Sequence, residues 1–386
     1  MKDRPALGIL FLVVFVDLLG FGMVIPVMAL YARALGASEA STGWLSTLYS
    51  LMQLGFAPVW GRLSDRIGRR PVLLVSIAMT AVAFLLYGLA GTFAVLLASR
   101  AFAGAATANI AIAQAYVADV TPPEERARGM GIIGAAFGLG FVLGPALGGL
   151  LSTHSLALPG LAAAGLSALN LVGAFFLLPE PAHRGAAPVS SRSLSTLLEA
   201  LRRPGVRRVI VIYFLAVAAF SAMESTYAFL ATNRYGLSDR HVAYVFAYIG
   251  VLVVVTQGVF IGPLTRALGE KRLLVIGAAL QALGLAWLPF ADGVPGLLLA
   301  SAPLSVGSGL ASPALSALLS RLSPDEEQGG ALGVGQSAAA LGRILGPESG
   351  TLSFARWQPA PYLGGAVIMA AAALVGTTLR GGRARP

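Results

Sequence analysis

Cysteine is absent from this chain of 386 residues, which excludes disulfide bonds and thiolate metal sites. Histidine is scarce, and His154, His183 and His241 are scattered, so no metal site is expected. Charged residues make up only 11% of the chain, whereas a soluble domain has about 25%. Hydrophobic residues make up 56%, more than a water-soluble fold could bury. The composition therefore predicts a membrane protein.

Long apolar runs fill most of the chain. Each is close to the roughly 20 residues that a helix needs to cross the hydrocarbon core of a bilayer. We predict an all-α membrane protein with twelve transmembrane helices, at residues 7–32, 44–62, 71–90, 93–118, 129–151, 157–178, 209–232, 240–263, 272–291, 295–320, 330–354 and 361–380.

The net charge of +10 is distributed as a membrane protein would distribute it. With the N-terminus in the cytoplasm, most lysines and arginines fall in cytoplasmic loops, and the outer loops hold Arg33, Arg234, Arg240 and Arg356. The positive-inside rule then predicts that both termini are cytoplasmic. We expect a multi-pass protein of the cell inner membrane that contacts the lipid bilayer and does not bind nucleic acid.

The same features occur twice, about 200 residues apart. The segment Gly61–Arg70 is echoed by Gly262–Lys271, and Gly144-Pro145 recurs 202 residues later as Gly346-Pro347. Two matching hydrophobic halves in parallel order are typical of secondary transporters.

The longest polar stretch separates these halves and carries proline, serine, glycine and several arginines. The predicted organisation is an N-terminal six-helix bundle at 1–180, a cytoplasmic linker at 181–208 and a C-terminal six-helix bundle at 209–386.

A charged segment lies in the predicted loop between spans two and three. Its glycines allow a tight reversal, and its aspartate can pair with a neighbouring arginine or cap a helix. We predict a conformational latch, and a plain positively charged loop is the alternative. The latch comprises Gly61, Asp65, Arg66, Gly68, Arg69 and Arg70.

Span five is rich in glycine around Pro145, which loosens the preceding helical turn. Small residues four apart allow close helix packing. The segment is predicted to form a stiff seal between the halves, and ordinary packing is an alternative that is compatible with this role. The residues concerned are Gly140, Gly144, Pro145, Gly148 and Gly149.

Ionisable residues inside spans are costly and need a partner or water. Arg100 in span four has Asp17 in span one as a candidate partner, which would suit proton coupling, and a static ion pair is the alternative. In the second half, Arg343 is expected to pair with Glu224 on another helix. Glu348 is a candidate proton or cation site, and simple hydration near the outer end of its span is the alternative.

Aromatic and amide residues on other span faces are candidates to line a substrate cavity. They are Phe21, Gln53, Asn109, Gln114, Tyr213, Phe220 and Tyr227.

These residues resemble those of the major facilitator superfamily, and within it the twelve-span drug:proton antiporters that include the tetracycline efflux proteins. Gly61–Arg70 resembles the loop signature of the superfamily, and Arg100 resembles the span-four arginine linked to proton transfer. Gly140–Gly149 is similar to the antiporter motif, which favours export. Asp17 resembles the acidic residue of span one in the tetracycline-type branch.

The chain also departs from that pattern. Span three has no acidic residue between Val72 and Ala90, where tetracycline exporters carry one, and Arg266 stands where the second loop would have an aspartate. The resemblance therefore implies the branch and not tetracycline itself as the substrate.

The leading hypothesis is a proton-coupled antiporter that exports amphipathic small molecules by alternating access, as a monomer, with the proton gradient as energy source and no cofactor. The alternative is an exporter or flippase of lipid-like, sugar-containing or anionic amphiphiles. An enzyme is not expected, because the histidines do not cluster and no phosphate-binding loop is present in the sequence.

Overall fold

The computed structural model describes residues 4–107, 109–121, 126–180, 202–323 and 328–379. The described residues of the first half form helices α1 (Arg4–Ala34), α2 (Glu39–Ile67), α3 (Arg69–Gly88), α4 (Phe93–Ala106), α5 (Asn109–Val120), α6 (Arg126–Ser152) and α7 (Leu158–Leu177).

The second half is also helical where it is described. Its helices are α8 (Pro204–Tyr235), α9 (Asp239–Val255), a π-helical turn (Thr256–Phe260), α10 (Ile261–Trp287), a 3-10 turn (Leu288–Phe290), α11 (Gly293–Leu322), α12 (Gln328–Arg356) and α13 (Ala360–Thr377). Most of the predicted linker, 181–201, lies outside the described residues.

The helices follow the predicted spans, with differences in span four, around spans eight and nine, and at the start of span seven. Span four is two helices, because Thr107 has an extended backbone between α4 and α5. Spans eight and nine run on through the π turn, and their bend is at Gly269, which has a φ of 75°. The seventh span begins at Pro204 rather than 209, with proline in the first helical turn, where its missing N–H costs nothing.

Among the described residues, seven helical stretches are long and apolar enough to cross a bilayer by length and composition, and one of them, Arg240–Phe290, covers two predicted spans. Together with the interrupted and charge-containing helices they give the twelve passes of two pseudo-symmetric six-helix bundles.

The chain divides into two compact units. The first comprises Met1–Ser38, Trp44–Val189 and Leu237–Ala247, and the second comprises Glu39–Gly43, Ser190–Gly236 and Tyr248–Pro386.

Each unit has its own buried core. In the first unit one cluster surrounds Tyr116 and another surrounds Tyr87, and neither tyrosine is exposed. In the second unit Tyr227, Phe229 and Tyr362 are equally buried.

The glycines of span five pack α6 against α1 inside the first unit. A Cβ atom at Gly144 would lie 2.7 Å from Cα of Gly22, and one at Gly148 would lie 2.0 Å from the carbonyl oxygen of Met23. Gly140 is as close to Leu18, at 2.7 Å. These glycines hold two helices of one unit together, because hydrogen is the largest side chain that the contact admits. This is the packing role, and the seal between the halves stays a prediction.

The second unit repeats this packing 202 residues later. Cβ atoms at Gly342, Gly346 and Gly350 would lie 2.5–2.9 Å from atoms of α8, at Ala218 and Ala222. The internal repeat is thus a repeat of helix contacts as well as of sequence.

Candidate functional site

A buried carboxylate and a buried amide meet in the first unit. Asp17 on α1 is 7% exposed, and its Oδ1 accepts a hydrogen bond of 2.8 Å from the Nδ2 of Asn109. Asn109 is the first residue of α5, so the interruption of span four at Thr107 comes just before this amide. The Oδ1 of Asn109 has no hydrogen-bond partner among the described residues.

Arg100 on α4 is held by aromatic rings. It is 2% exposed, and its guanidinium carbon lies 4.9 Å from the ring centroid of Tyr87 and 5.7 Å from that of Phe84. Its Nε and Nη2 have no hydrogen-bond partner in the described part of the chain.

The expected pair between Arg100 and Asp17 is therefore corrected. Within the described residues the carboxylate of Asp17 bonds to Asn109, and the guanidinium stacks on the two rings instead. A cation over an aromatic face gains electrostatic energy without an anion, which explains how Arg100 is accommodated away from Asp17.

The second unit brings Glu224 and Arg343 together. Both side chains are half-buried, Glu224 on α8 and Arg343 on α12, and the positive charge of Arg343 acts on the carboxylate of Glu224. Glu348 lies further along α12, half-buried, and its Oε2 has no hydrogen-bond partner among the residues that the structure describes.

The charged segment between spans two and three is mostly helix. Gly61 and Asp65 lie within α2, which continues to Ile67, and Gly68 alone separates α2 from α3, with a φ of 103°. The expectation that Gly61 makes a turn is corrected: the apolar span ends near 62, but the helix continues through the charged residues that follow, to Ile67. Arg66 on this last turn is exposed.

Arg69 gathers three side chains from two helices. Its Nη1 lies 2.6 Å from a carboxylate oxygen of Asp65 and donates to Ser64 at 2.7 Å. Its Nε donates to Asp119, at the end of α5, over 2.8 Å. The candidate latch residues thus bind the start of α3 to the ends of α2 and α5.

Glu180 completes this cluster. Its Oε1 accepts from the backbone N–H of Arg69 at 2.9 Å, and its Oε2 accepts from that of Arg70 at 3.2 Å. A carboxylate at a helix N-terminus is favoured by the helix dipole and by unpaired N–H groups. A Cβ atom at Gly68 would lie 2.6 Å from Glu180, so glycine is needed there for space as well as for φ. The guanidinium of Arg70 donates to the carbonyl of Phe175.

The second unit has a counterpart of the Arg69–Asp119 pair. Glu270 follows Gly269, as Arg69 follows Gly68, and it lies 2.8 Å from Nη2 of Arg321. Asp119, Glu180, Glu270 and Arg321 were not among the predicted site residues. Adding the repeat offset of about 200 residues to Arg69 and Asp119 leads to Glu270 and Arg321, so the repeat could have predicted the second pair. Nothing in the sequence singles out Glu180.

The predicted cavity residues do not share one environment. Asn109, Tyr213 and Tyr227 are buried in packed contacts, and the Tyr227 hydroxyl is 2.6 Å from that of Ser301. Helix contacts enclose these three side chains, and their place in a substrate cavity stays a prediction. Phe21, Gln53 and Phe220 are half-buried, and Gln114 is exposed. The described residues hold no cluster of three acids or histidines able to bind a metal ion.

The chain matches the Major Facilitator Superfamily family model over residues 10–347 and again over 254–386, and it belongs to that family. It is 34% identical to the class C tetracycline resistance protein of Escherichia coli, over 95% of both chains. It is 28% identical to multidrug resistance protein 2 of Bacillus subtilis, over 88% of this chain and 86% of that protein. Among solved structures it resembles the human organic anion transporter MFSD10, with a TM-score of 0.72 and 25% identity over 97% of this chain and 100% of that one.

Proposed function

We propose that this chain exports amphipathic small molecules, including drugs, in exchange for protons. The observation that carries the proposal is the carboxylate of Asp17, which is buried and bonded to the neutral amide of Asn109. A nearby cation favours the ionised form of an acid, so an acid at membrane depth with a neutral partner can accept and release a proton without first breaking an ion pair. The names of the relatives, which are resistance proteins, support a drug as cargo.

In the proposed cycle, substrate enters from the cytoplasm and protons from outside replace it. Asp17 carries a coupling proton, and Glu224 and Glu348 are the second-half candidates. Arg343 is the candidate partner whose charge acts on Glu224 in this cycle. The chain's residues supply this chemistry without a cofactor.

The proposed organisation is a monomer with bundles at 1–180 and 209–386, a linker at 181–208 and both termini in the cytoplasm, in a bacterial inner membrane. The proposed functional residues are the ionisable residues inside the spans and the residues that contact Arg69, which hold the start of α3 in place.

The test is substrate-driven proton movement in proteoliposomes with an imposed pH gradient. Wild type, Asp17→Asn, Glu224→Gln and Glu348→Gln are compared, with tetracyclines and lipophilic cations as substrates. Asp292→Asn is the matched control, because Asp292 is an acid outside the spans. We expect Asp17→Asn to abolish coupling while substrate still binds.

Coupling in every variant would refute the role of these acids. If no compound moves protons in wild type, the exporter proposal fails, and lipid-like, sugar-containing and anionic amphiphiles become the substrates to examine.

A further inference from the structure

A groove with a charged mouth lies between α8 and α13 in the second unit. Its volume is about 180 Å³, below the range of pockets for drug-sized ligands. Its lining combines arginines at one end with small and branched apolar residues, chiefly Arg207, Arg208, Val211, Leu215, Ala371 and Val375.

Along α8, the charged residues of the groove come before its apolar residues. Arg207 and Arg208 are in the first turns of the helix, and Val211 and Leu215 follow at helical spacing on the same face. Nη1 of Arg208 lies 3.4 Å from the carbonyl oxygen and from Oγ1 of Thr378, which keeps it at the end of α13. No acidic side chain lines the groove in the part of the chain that is described.

A second groove on α13 provides the contrast. It is larger, about 390 Å³, and its lining includes Val275, Ala279, Ala370 and Leu374 but no charged residue. An acyl chain without a headgroup should not bind the smaller groove more tightly than the larger one. The two arginines distinguish the smaller groove.

We propose that the groove of Arg207 and Arg208 binds an acidic phospholipid, with the phosphate at the two guanidinium groups and one acyl chain along Val211, Leu215 and Ala371. Charge complementarity favours this occupant, because basic residues beside an apolar helix surface attract anionic headgroups. In the orientation proposed above, Arg207 and Arg208 lie at the cytoplasmic end of α8, so the lipid would come from the cytoplasmic leaflet. The binding itself does not depend on transport.

The test titrates the purified full chain, in a zwitterionic detergent, with phosphatidylglycerol and counts bound lipids by native mass spectrometry. Phosphatidylcholine and inorganic phosphate are the comparison ligands. We expect the double variant Arg207→Gln, Arg208→Gln to bind phosphatidylglycerol about 30-fold more weakly, which corresponds to about 1 kcal/mol for each arginine. Arg234→Gln, at the other end of α8, should bind as wild type does.

A second pair of variants tests whether the lipid occupies the apolar part of this groove. Ala371→Phe places a ring in the charged groove from an exposed position and should abolish binding, whereas Ala370→Phe, one residue away in the second groove, should not. Unfolding midpoints without lipid confirm that each variant is folded. Equal binding by Ala370→Phe and Ala371→Phe, unchanged binding by the double arginine variant, or displacement of the lipid by inorganic phosphate would each overturn the proposal.

Discussion

Arg69 and Asp119 form an ion pair of 2.8 Å whose counterpart in the second half has the opposite polarity. There Glu270 takes the place of the arginine and Arg321 that of the aspartate, again at 2.8 Å. In both halves the pair joins the residue after a glycine with positive φ to the end of the next span. Since the sign is reversed and the contact is kept, the position requires an ion pair and not a particular charge.

Exchanging the charges of the first pair should therefore be tolerated better than removing one of them. Arg69→Glu alone sets a second carboxylate against Asp119, and we expect a loss of about 1–3 kcal/mol of stability. The double variant Arg69→Glu, Asp119→Arg should recover part of it, although the contacts of Arg69 with Asp65 and Ser64 are lost. Thermal unfolding midpoints in detergent measure both effects. A double variant as unstable as Arg69→Glu would show that the pair cannot be exchanged.

Glu180 is predicted to stabilise the start of α3 by capping it. Glu180→Gln keeps the size of the side chain but removes its charge, and we expect a loss of about 1 kcal/mol. Asp292→Asn is the control, because Asp292 precedes α11 without any side-chain hydrogen bond to that helix. If both variants unfold at the same temperature as wild type, the two backbone hydrogen bonds of Glu180 contribute nothing measurable.

The sequence predicts the helices better than it predicts the contacts between side chains. Apolar length places the spans, but it cannot show the interruption at Thr107, since hydropathy continues through it. Spacing places Arg343 on a different face of its helix from Glu348. A single sequence does not show that Asp17 forms its hydrogen bond with Asn109 and not with Arg100. The sequence also does not reveal that Arg100 lies over the rings of Tyr87 and Phe84. An aromatic partner carries no charge, so a search for residues of opposite charge does not find it.

The glycine contact of α6 with α1 should not accept a methyl group. In Gly148→Ala the new Cβ would lie 2.0 Å from the carbonyl oxygen of Met23, which is backbone and cannot rotate away. We expect a loss of about 1–3 kcal/mol from overpacking. Gly350→Ala, at 2.7 Å from Ala222, tests the repeated contact in the second unit.

Gly173→Ala is the matched control for these variants. Gly173 is inside α7 and has nothing within 4 Å of the position of its Cβ, so alanine should stabilise the helix by about 0.5–1 kcal/mol. Unfolding midpoints that rank Gly148→Ala level with Gly173→Ala would contradict the close packing.

Lysine should fail to replace Arg100. The guanidinium is planar and stacks on Tyr87 and Phe84, whereas an ammonium group is compact and more strongly hydrated. We expect Arg100→Lys to lose transport nearly as fully as Arg100→Gln, although it keeps the charge. Drug-driven proton uptake in proteoliposomes compares the two variants at equal protein content.

Two variants of Tyr87 distinguish the contribution of its ring from that of its hydroxyl group. The Tyr87 hydroxyl is buried without a hydrogen-bond partner among the described residues, so Tyr87→Phe should keep both stability and transport. Tyr87→Leu removes the π face and should cost about 0.5–2 kcal/mol of cation–π attraction in addition to packing. If Tyr87→Phe behaves like Tyr87→Leu, the hydroxyl and not the ring supports Arg100. If Arg100→Lys transports like wild type, charge alone is what span four requires.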